Sequence, residues 1–396
     1  MEKTLLITKL TWNQKEYLAT ALYHEKKLLE VSLEPQDKQS ILHNIYVGRV
    51  KNIVKNLNAA FIEIAPGVSC YYDLDELKNP LYVKKINSPR MVQGDEVLVQ
   101  VVRESSKGKP PKVSTNLNFS GKYLVLTSES NTLCISRKLD IETKKRLKES
   151  LEFIRDGDLG FIIRTNAAQA SMEDIKDEYC RLRQEYLTLR DSAIHRTVFS
   201  CLKKQLPEYL HILRDMKKGQ LDAIVTDDAE ILGQIRQYLD QFPQQEYILK
   251  FYEDPMISLN KLYSLDTRLC EALRERVWLK SGGYLIIQPT EALTVIDVNS
   301  GKSVAKKRAQ EHYFKINMEA AKEIACQMRL RNISGIIIVD FIDMKSDEDN
   351  ELLLKTLRTS VREDSVPVQI VDMTKLHLVE ITRKKVKKSL AEQLMT

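Results

Sequence analysis

Residues 283–300 read GYLIIQPTEALTVIDVNS, and residues 335–344 read GIIIVDFIDM. The first stretch holds two short strands joined at Pro289-Thr290, because its apolar run breaks at a turn-forming pair. The second is almost wholly apolar, a pattern that suits a strand buried on both faces. Between them, from about Ala309 to Arg331, apolar residues recur at helical spacing. Strand, helix, strand predicts a parallel pair with a right-handed crossover, so this part of the chain reads as α/β.

That topology gives the acidic residues meaning. Asp297 lies near the carboxyl end of the strand before the helix, and Asp340 toward the carboxyl end of the strand after it. In a parallel pair those ends adjoin, and open α/β sheets take their ligands there. An ionised carboxylate at a buried strand end costs several kcal/mol unless it is paired or holds a metal. Oxygen ligands of this kind favour a hard ion such as Mg²⁺, which keeps several waters and completes its shell with substrate phosphate. Asn299 points to the same side as Asp297 and is placed to orient a water or a phosphate. Asp343 is the weaker candidate, since its odd offset from Asp340 turns it to the other face. The alternative is that each carboxylate is satisfied separately by backbone N–H groups or basic side chains, and spacing alone leaves both readings open. The following SGKS is not a nucleotide-binding loop, which needs a Gly five residues before Gly301; Ile296 stands there.

The wider composition sets bounds. A chain of 396 residues is too long for one ordinary core, so roughly two to four packed units are expected. The hydrophobic fraction of 43% and charged fraction of 29% describe a globular protein. No run of about 18 apolar residues argues for a membrane span. The start, MEKTLLITKL, lacks the features of a secretory signal, so a cytoplasmic location is the expectation. Six scattered cysteines include no C-x-x-C pair, which argues against a zinc knuckle and a disulfide framework. Sixty-one basic against 55 acidic residues leave a net charge of +6, which permits a nucleic-acid partner without establishing one.

Changes of period divide the chain. Residues 1–39 hold short apolar runs (TLLITKL, YLATALY, LLEVSLE) and read as an antiparallel meander. Residues 40–115 hold short, turn-punctuated strands (NIYVGRVKNIV, AAFIEIAP, EVLVQVVRES), which suit a small closed barrel of the OB type. Residues 116–209 mix strands with two helical stretches that Asp140 and Ser171 are placed to cap. Residues 210–272 alternate strand and helix, and residues 273–396 form the strand–helix–strand unit above. Basic residues cluster around that last unit: Lys302, Lys306, Lys307 and Arg308 before the helix, Arg329 and Arg331 at its end, and Arg383 to Lys388 in TRKKVKKS. Such clusters usually form a solvated face, but beside paired carboxylates they favour a polyanionic substrate.

Taken in order, NIYVGRV, AAFIEI, GFIIRT, EALTVIDVNSGK, FKINMEAAKEIACQMRLRNISGIIIVDFIDM and LVEITRKK resemble the ribonuclease E/ribonuclease G family over nearly the whole chain. The resemblance implies an α/β multidomain protein with an RNase H-like fold in two parts (1–39 and 210–272). It further implies an inserted OB-fold RNA-binding domain (40–115), a 5′-sensor region (116–209) and a DNase I-like catalytic subdomain (273–396). It implies a Mg²⁺-dependent endoribonuclease that cleaves single-stranded RNA in RNA processing or decay, leaving 5′-phosphate and 3′-hydroxyl ends. The family's metal-binding aspartates fall on Asp297 and Asp340 and its supporting asparagine on Asn299. Its 5′-monophosphate sensor falls on Arg137, Arg164 and Thr165, where Arg offers a bidentate fork and Thr a hydroxyl. Its RNA-stacking aromatics match Phe61 and Tyr71, the latter standing where Phe is common, and its RNA-binding lysine matches Lys109 in GKPPK. Read without the family, Arg164 is an ordinary surface arginine and Phe61 a barrel-core aromatic. One departure matters. Familiar members follow TRK with a C-P-x-C zinc link between subunits and then a small domain; LAEQLMT carries neither, so the sequence reads as a short form for which zinc is not implied and homo-oligomerisation stays open. The rival reading is a catalytically inactive RNA-binding protein of the same architecture.

Overall fold

The computed structural model describes residues 2–395 apart from 38–39, 77–79, 106–107, 129–130, 137–138, 153, 155–158, 217–218, 241–246 and 302–308. Two compact units result, one from residues 1–38 and 218–396, the other from residues 39–217.

The first unit begins with strands β1 (Lys3–Trp12), β2 (Lys15–His24) and β3 (Lys27–Pro35), paired as the antiparallel meander their alternation predicts. In the second unit, strands β4 (Ile45–Val54), β5 (Ala59–Ala65), β6 (Val68–Asp73), β7 (Tyr82–Lys84), β8 (Glu96–Arg103) and β9 (Lys112–Ser114) follow. The order β4-β5-β6-β9-β8, with β8 pairing back onto β4, closes a five-stranded barrel. Closure removes the sheet edges, and Ile62, Ile64, Cys70, Tyr72, Val97 and Val99 fill the interior.

Strands β10 (Asn118–Ser120), β11 (Leu124–Thr127), β12 (Leu133–Ile135) and β13 (Gly160–Ile163) build a separate sheet, in the order β10-β11-β13-β12. Helices α1 (Ile141–Ser150) and α2 (Met172–Ala193) accompany it. Asp140 accepts from the Thr143 N–H at 2.8 Å and Ser171 from the Asp174 N–H at 3.0 Å, so both expected caps form. From α2, Ile175, Leu182, Tyr186 and Leu189 pack into one core with Phe119, Leu124 and Phe161 of the sheet. The unit ends with β14 (Cys201–Lys203), which pairs with β4, and α3 (Glu208–Asp215).

Back in the first unit, β15 (Ala223–Thr226) and β16 (Ile248–Phe251) add in parallel beside β1, giving the order β16-β15-β1-β2-β3. Helices α4 (Ala229–Leu239), α5 (Leu259–Leu262) and α6 (Leu265–Leu273) lie along this part of the chain. A second sheet follows, from β17 (Arg276–Trp278), β18 (Tyr284–Pro289), β19 (Leu293–Asn299), β20 (Gly335–Asp340), β21 (Val368–Met373) and β22 (Leu378–Arg383). Its order is β17-β18-β19-β20-β22-β21. Helix α7 (Ala309–Leu330) connects β19 to β20, which run parallel as predicted. Helices α8 (Asp347–Ser360) and α9 (Leu390–Met395) complete the unit.

This sheet has one packed face and one open face. Leu285, Ile287, Ile296, Val298, Ile337, Val339, Val379 and Ile381 pack against Ile316, Ala320, Ile324 and Met328 of α7 and Leu353 and Leu357 of α8. Each Leu, Ile, Val or Met side chain among them contributes about 1.5–3 kcal/mol on burial. The apolar run of β20 is therefore not buried on both sides, contrary to the sequence expectation: Ile336 is 50% exposed on the opposite face. The described helices α7 and α8 pack on one side, and a run of isoleucines carries no period to reveal which side is left open.

Candidate active site

Asp297 and Asp340 close the β19–β20 ladder as direct register partners, Val295 facing Ile338 and Asp297 facing Asp340. Strands in a sheet lie about 4.8 Å apart, so the two carboxylates leave neighbouring backbones from the same face. It is the open face, because Ile296, Val298 and Val339 on either side point into the core. Partial burial, then the charges of Asp297 and Asp343, push the Asp340 carboxyl above the ordinary carboxylate range. Among the described residues no Lys or Arg forms an ion pair with either aspartate. No described basic side chain therefore offsets the repulsion between them.

Asn299 does more than sit beside the pair. Its side-chain amide donates to the Asp297 carboxylate at 2.6 Å, which fixes the direction of that acid. The strand exit beyond it is set by Gly301, whose φ of 72° is one that side-chain-bearing residues rarely adopt. A Cβ there would lie 2.3 Å from the Gly282 carbonyl oxygen. After β20, the chain leaving Asp340 is pinned by Asn317, a fully buried α7 residue. Its amide donates to the Ile342 carbonyl at 2.7 Å and its carbonyl accepts from the Ile342 N–H at 3.1 Å. Asp343, exposed in this segment, lies close enough for its charge to act on Asp340. The strand ends at Asp340, so the alternation that turned Asp343 away in sequence terms does not extend to it.

The described residues contain no group of three or more His, Cys, Asp or Glu side chains arranged to hold a metal ion. The donor set here is two carboxylates open to solvent. That composition suits Mg²⁺, which takes one or two carboxylates and fills its remaining positions with water and phosphate. It does not suit a closed structural zinc site.

The basic residues around this unit divide differently from their sequence clusters. Lys302, Lys306, Lys307 and Arg308 lie outside the described residues. Arg383 is no part of a solvated face. It is buried in an ion pair with Asp364 at 2.8 Å and donates to the Ile333 carbonyl and the Asn332 side chain.

In the second unit, Arg164 leaves the end of β13 and forms a two-pronged pair with Asp215, at 2.7 and 2.8 Å, while also donating to the Gly121 carbonyl. Arg214 adds a further bond to Asp215 at 2.8 Å. Burial opposes the charged form of Asp215, but the hydrogen bonds from Arg164 and Arg214 outweigh it and bring its pKa down to about 2. The Thr165 hydroxyl lies 3.2 Å from that of Ser136. Arg137 falls outside the described residues. The turn carrying Gly121 is held by Glu178 of α2, whose buried carboxylate accepts the backbone N–H groups of Lys122, Tyr123 and Leu124 at 2.7–2.8 Å. Any residue larger than Gly at 121 would drive its Cβ into that carboxylate, 2.4 Å away.

On the barrel, Phe61 and Tyr71 are register partners on β5 and β6 with an edge-to-face contact at 6.3 Å. The interior is filled by the alternate residues Ala60, Ile62, Cys70 and Tyr72, so Phe61 is an outer-face aromatic and not a core one. Lys109 is exposed in the loop before β9. The lysine paired in register with Tyr71 is Lys112, whose ammonium contacts Glu76 at 2.5 Å.

Comparison with known proteins places the chain. The sequence profile of the Ribonuclease E/G family matches residues 118–386. The chain is 33% identical over 388 residues to ribonuclease G of Haemophilus influenzae, covering 94% of this chain and 78% of that protein. It belongs to the ribonuclease E/G family. Against ribonuclease E of Nostoc the identity is 32% over 380 residues, 94% of this chain but only 55% of that protein. A ribonuclease E/G-like protein of Porphyra purpurea is 33% identical over 358 residues, 88% of this chain and 70% of that protein. The family match takes in Arg164, Thr165, Asp297, Asn299 and Asp340, and leaves Phe61, Tyr71 and Lys109 outside it.

Sequence reasoning missed the residues of this ribonuclease E/G chain that work through others: Asp215 on Arg164, Glu178 on the Gly121 turn, Asn317 on Ile342. The one signal available was a polar residue on an otherwise apolar helical face, Asn317 in FKINMEAA.

Proposed function

We propose that this chain is an endoribonuclease cleaving single-stranded RNA in RNA processing or decay, with Asp297 and Asp340 as the ligands of a Mg²⁺ ion. The observation that carries the reading is the register pairing of those two aspartates on an open sheet face with no basic partner among the described residues. When bound, Mg²⁺ would polarise the scissile phosphate and lower the pKa of a water, giving 5′-phosphate and 3′-hydroxyl products. The protein's own part is to aim the carboxylates. Asn299 orients Asp297 through its amide bond, and Asn317 fixes the backbone beyond Asp340. Two adjacent carboxylates cost the apo protein repulsion that a divalent cation relieves.

The other sites fit supporting roles. Phe61 and Tyr71, together with Lys109, would grip single-stranded RNA on an OB-type barrel by stacking and charge. Arg164 and Thr165, with Arg137, would read a 5′-monophosphate. Because Asp215 already occupies the Arg164 fork, a phosphate there would share the guanidinium through its remaining donors. The reading further assigns residues 1–39 and 210–272 to an RNase H-like piece, 116–209 to the 5′-sensor and 273–396 to a DNase I-like catalytic subdomain, and places the protein in the cytoplasm. No described helix is long and apolar enough to cross a membrane.

The test is cleavage of a short 5′-monophosphorylated oligoribonucleotide with and without Mg²⁺, beside matched single-stranded DNA and 5′-hydroxyl RNA. The reading requires Mg²⁺-dependent RNA products. Binding without products would instead support an inactive RNA-binding protein.

A further inference from the structure

The open face that carries the aspartates also carries aromatics that the reading above does not use. Trp278 on β17 pairs in register with Tyr284 on β18, and Tyr284 with Asn299 on β19. One step along, Arg276 pairs with Ile286, and Ile286 with Asp297. Register partners point to the same face, so Arg276, Trp278 and Tyr284 share the face of Asp297, Asn299 and Asp340. Trp278 and Asn299 stand two strand spacings apart, about 10 Å.

The cluster is organised. The Trp278 and Tyr284 rings meet edge to face at 5.2 Å, and the Arg276 guanidinium lies 4.7 Å from the Tyr284 ring centre and 5.7 Å from that of Trp278. Yet Trp278 is 65% exposed, while its chain neighbour Leu279 is buried in the core on the other side. A tryptophan kept for packing would be covered. The strand is anchored by one face, and its largest apolar side chain is presented to solvent beside a cation, on the sheet face that carries the paired acids.

We propose that Arg276, Trp278 and Tyr284 form a stacking subsite for a nucleobase of the RNA strand, one flanking the scissile phosphate. Every base has a π-face, so an aromatic platform grips single-stranded RNA with little sequence preference. The guanidinium beside it meets the adjoining phosphate. The proposal rests on the ribonuclease reading of this same face. The competing account is a self-contained cation–π ladder, which would stiffen the edge strand and leave RNA untouched.

Trp278 reports on itself, because the sequence contains only two tryptophans, Trp12 and Trp278. In a Trp12→Phe background, a 2′-O-methyl oligoribonucleotide, which binds without being cut, is titrated while Trp278 emission is followed. The same strand with abasic residues serves as the control, and binding of both is read independently by anisotropy. The proposal expects quenching by the base-bearing strand and little by the abasic one. On cleavable RNA, Trp278→Ala or Tyr284→Ala raises KM about ten-fold with a smaller change in kcat, since stacking acts in ground and transition states alike. Trp278→Phe retains most of the wild-type KM. Equal emission with both strands at saturation, together with an unchanged KM in Trp278→Ala, overturns the subsite. If that occurs while Asp297→Asn still abolishes cleavage, the ribonuclease reading survives. Base-dependent quenching in a wild-type protein that cuts no RNA does the reverse, keeping the subsite and removing the enzyme.

Discussion

Two charged constellations in this protein solve opposite problems. On the open sheet face, Asp297 and Asp340 are held side by side with no basic partner among the described residues, and partial burial, then the charges of Asp297 and Asp343, push the Asp340 carboxyl up. Around Arg164, opposite charges meet among the described residues: Asp215 is gripped by two arginines and its pKa falls to about 2. The first arrangement carries a cost that a cation from outside would remove. The second is already paired, and a phosphate would have to join a network that does not need it. The difference suggests a required ligand at one place and a modulating one at the other.

The contrast predicts a graded set of outcomes. Asp297→Asn or Asp340→Asn should lower cleavage about 10³-fold or more, a rise of about 4 kcal/mol in the barrier, while RNA affinity by anisotropy stays near wild type. Wild-type turnover by either variant in metal-cleaned buffer with Mg²⁺ restored would erase the distinction. Gly301→Ala should destabilise the fold by about 1–3 kcal/mol in denaturant titration, because the alanine must hold a left-handed backbone against the Gly282 carbonyl.

Smaller effects should mark the Arg164 network. The depressed pKa of Asp215 means its contribution is fully present above its ordinary value of 3.8 and is lost as pH falls through about 2. Wild type should therefore exceed Asp215→Asn in stability by about 1 kcal/mol near neutrality, a modest figure because the carboxylate is 37% exposed. The gap should close between pH 3.8 and 2. A gap that widens with acid would show that Asp215 is not held as described. Least of all, Asp340→Asn should stabilise the metal-free protein slightly, by at most about 1 kcal/mol in denaturant titration, since removing one of two repelling charges helps the apo state. Saturating Mg²⁺ should cancel that advantage.

What was legible in sequence follows the range of the physics involved. The parallel β19–β20 pair and the α7 crossover could be read because each rests on a local period, and the convergence of Asp297 and Asp340 followed from topology alone. The open face was not legible: GIIIVD is apolar at every position before its acid, so nothing in it distinguishes Ile337, fully buried, from Ile336, half exposed. Nor could sequence find Asp215, 51 residues from Arg164, or Glu178, 54–56 residues from the N–H groups it accepts. Those partners are chosen by tertiary packing. Arg383 was misread for the same reason, its charge being neutralised by Asp364 in the interior.

The central claim is that Asp297 and Asp340 share one divalent cation. The most direct measurement is Mn²⁺ binding, with Mn²⁺ standing in for Mg²⁺, followed by the loss of the free-ion paramagnetic resonance signal in wild type and in the Asp297→Asn/Asp340→Asn double variant. The account predicts an ion retained by wild type, displaced by Mg²⁺, and absent from the double variant. Equal Mn²⁺ uptake by both proteins, displaced equally by Mg²⁺, would contradict it.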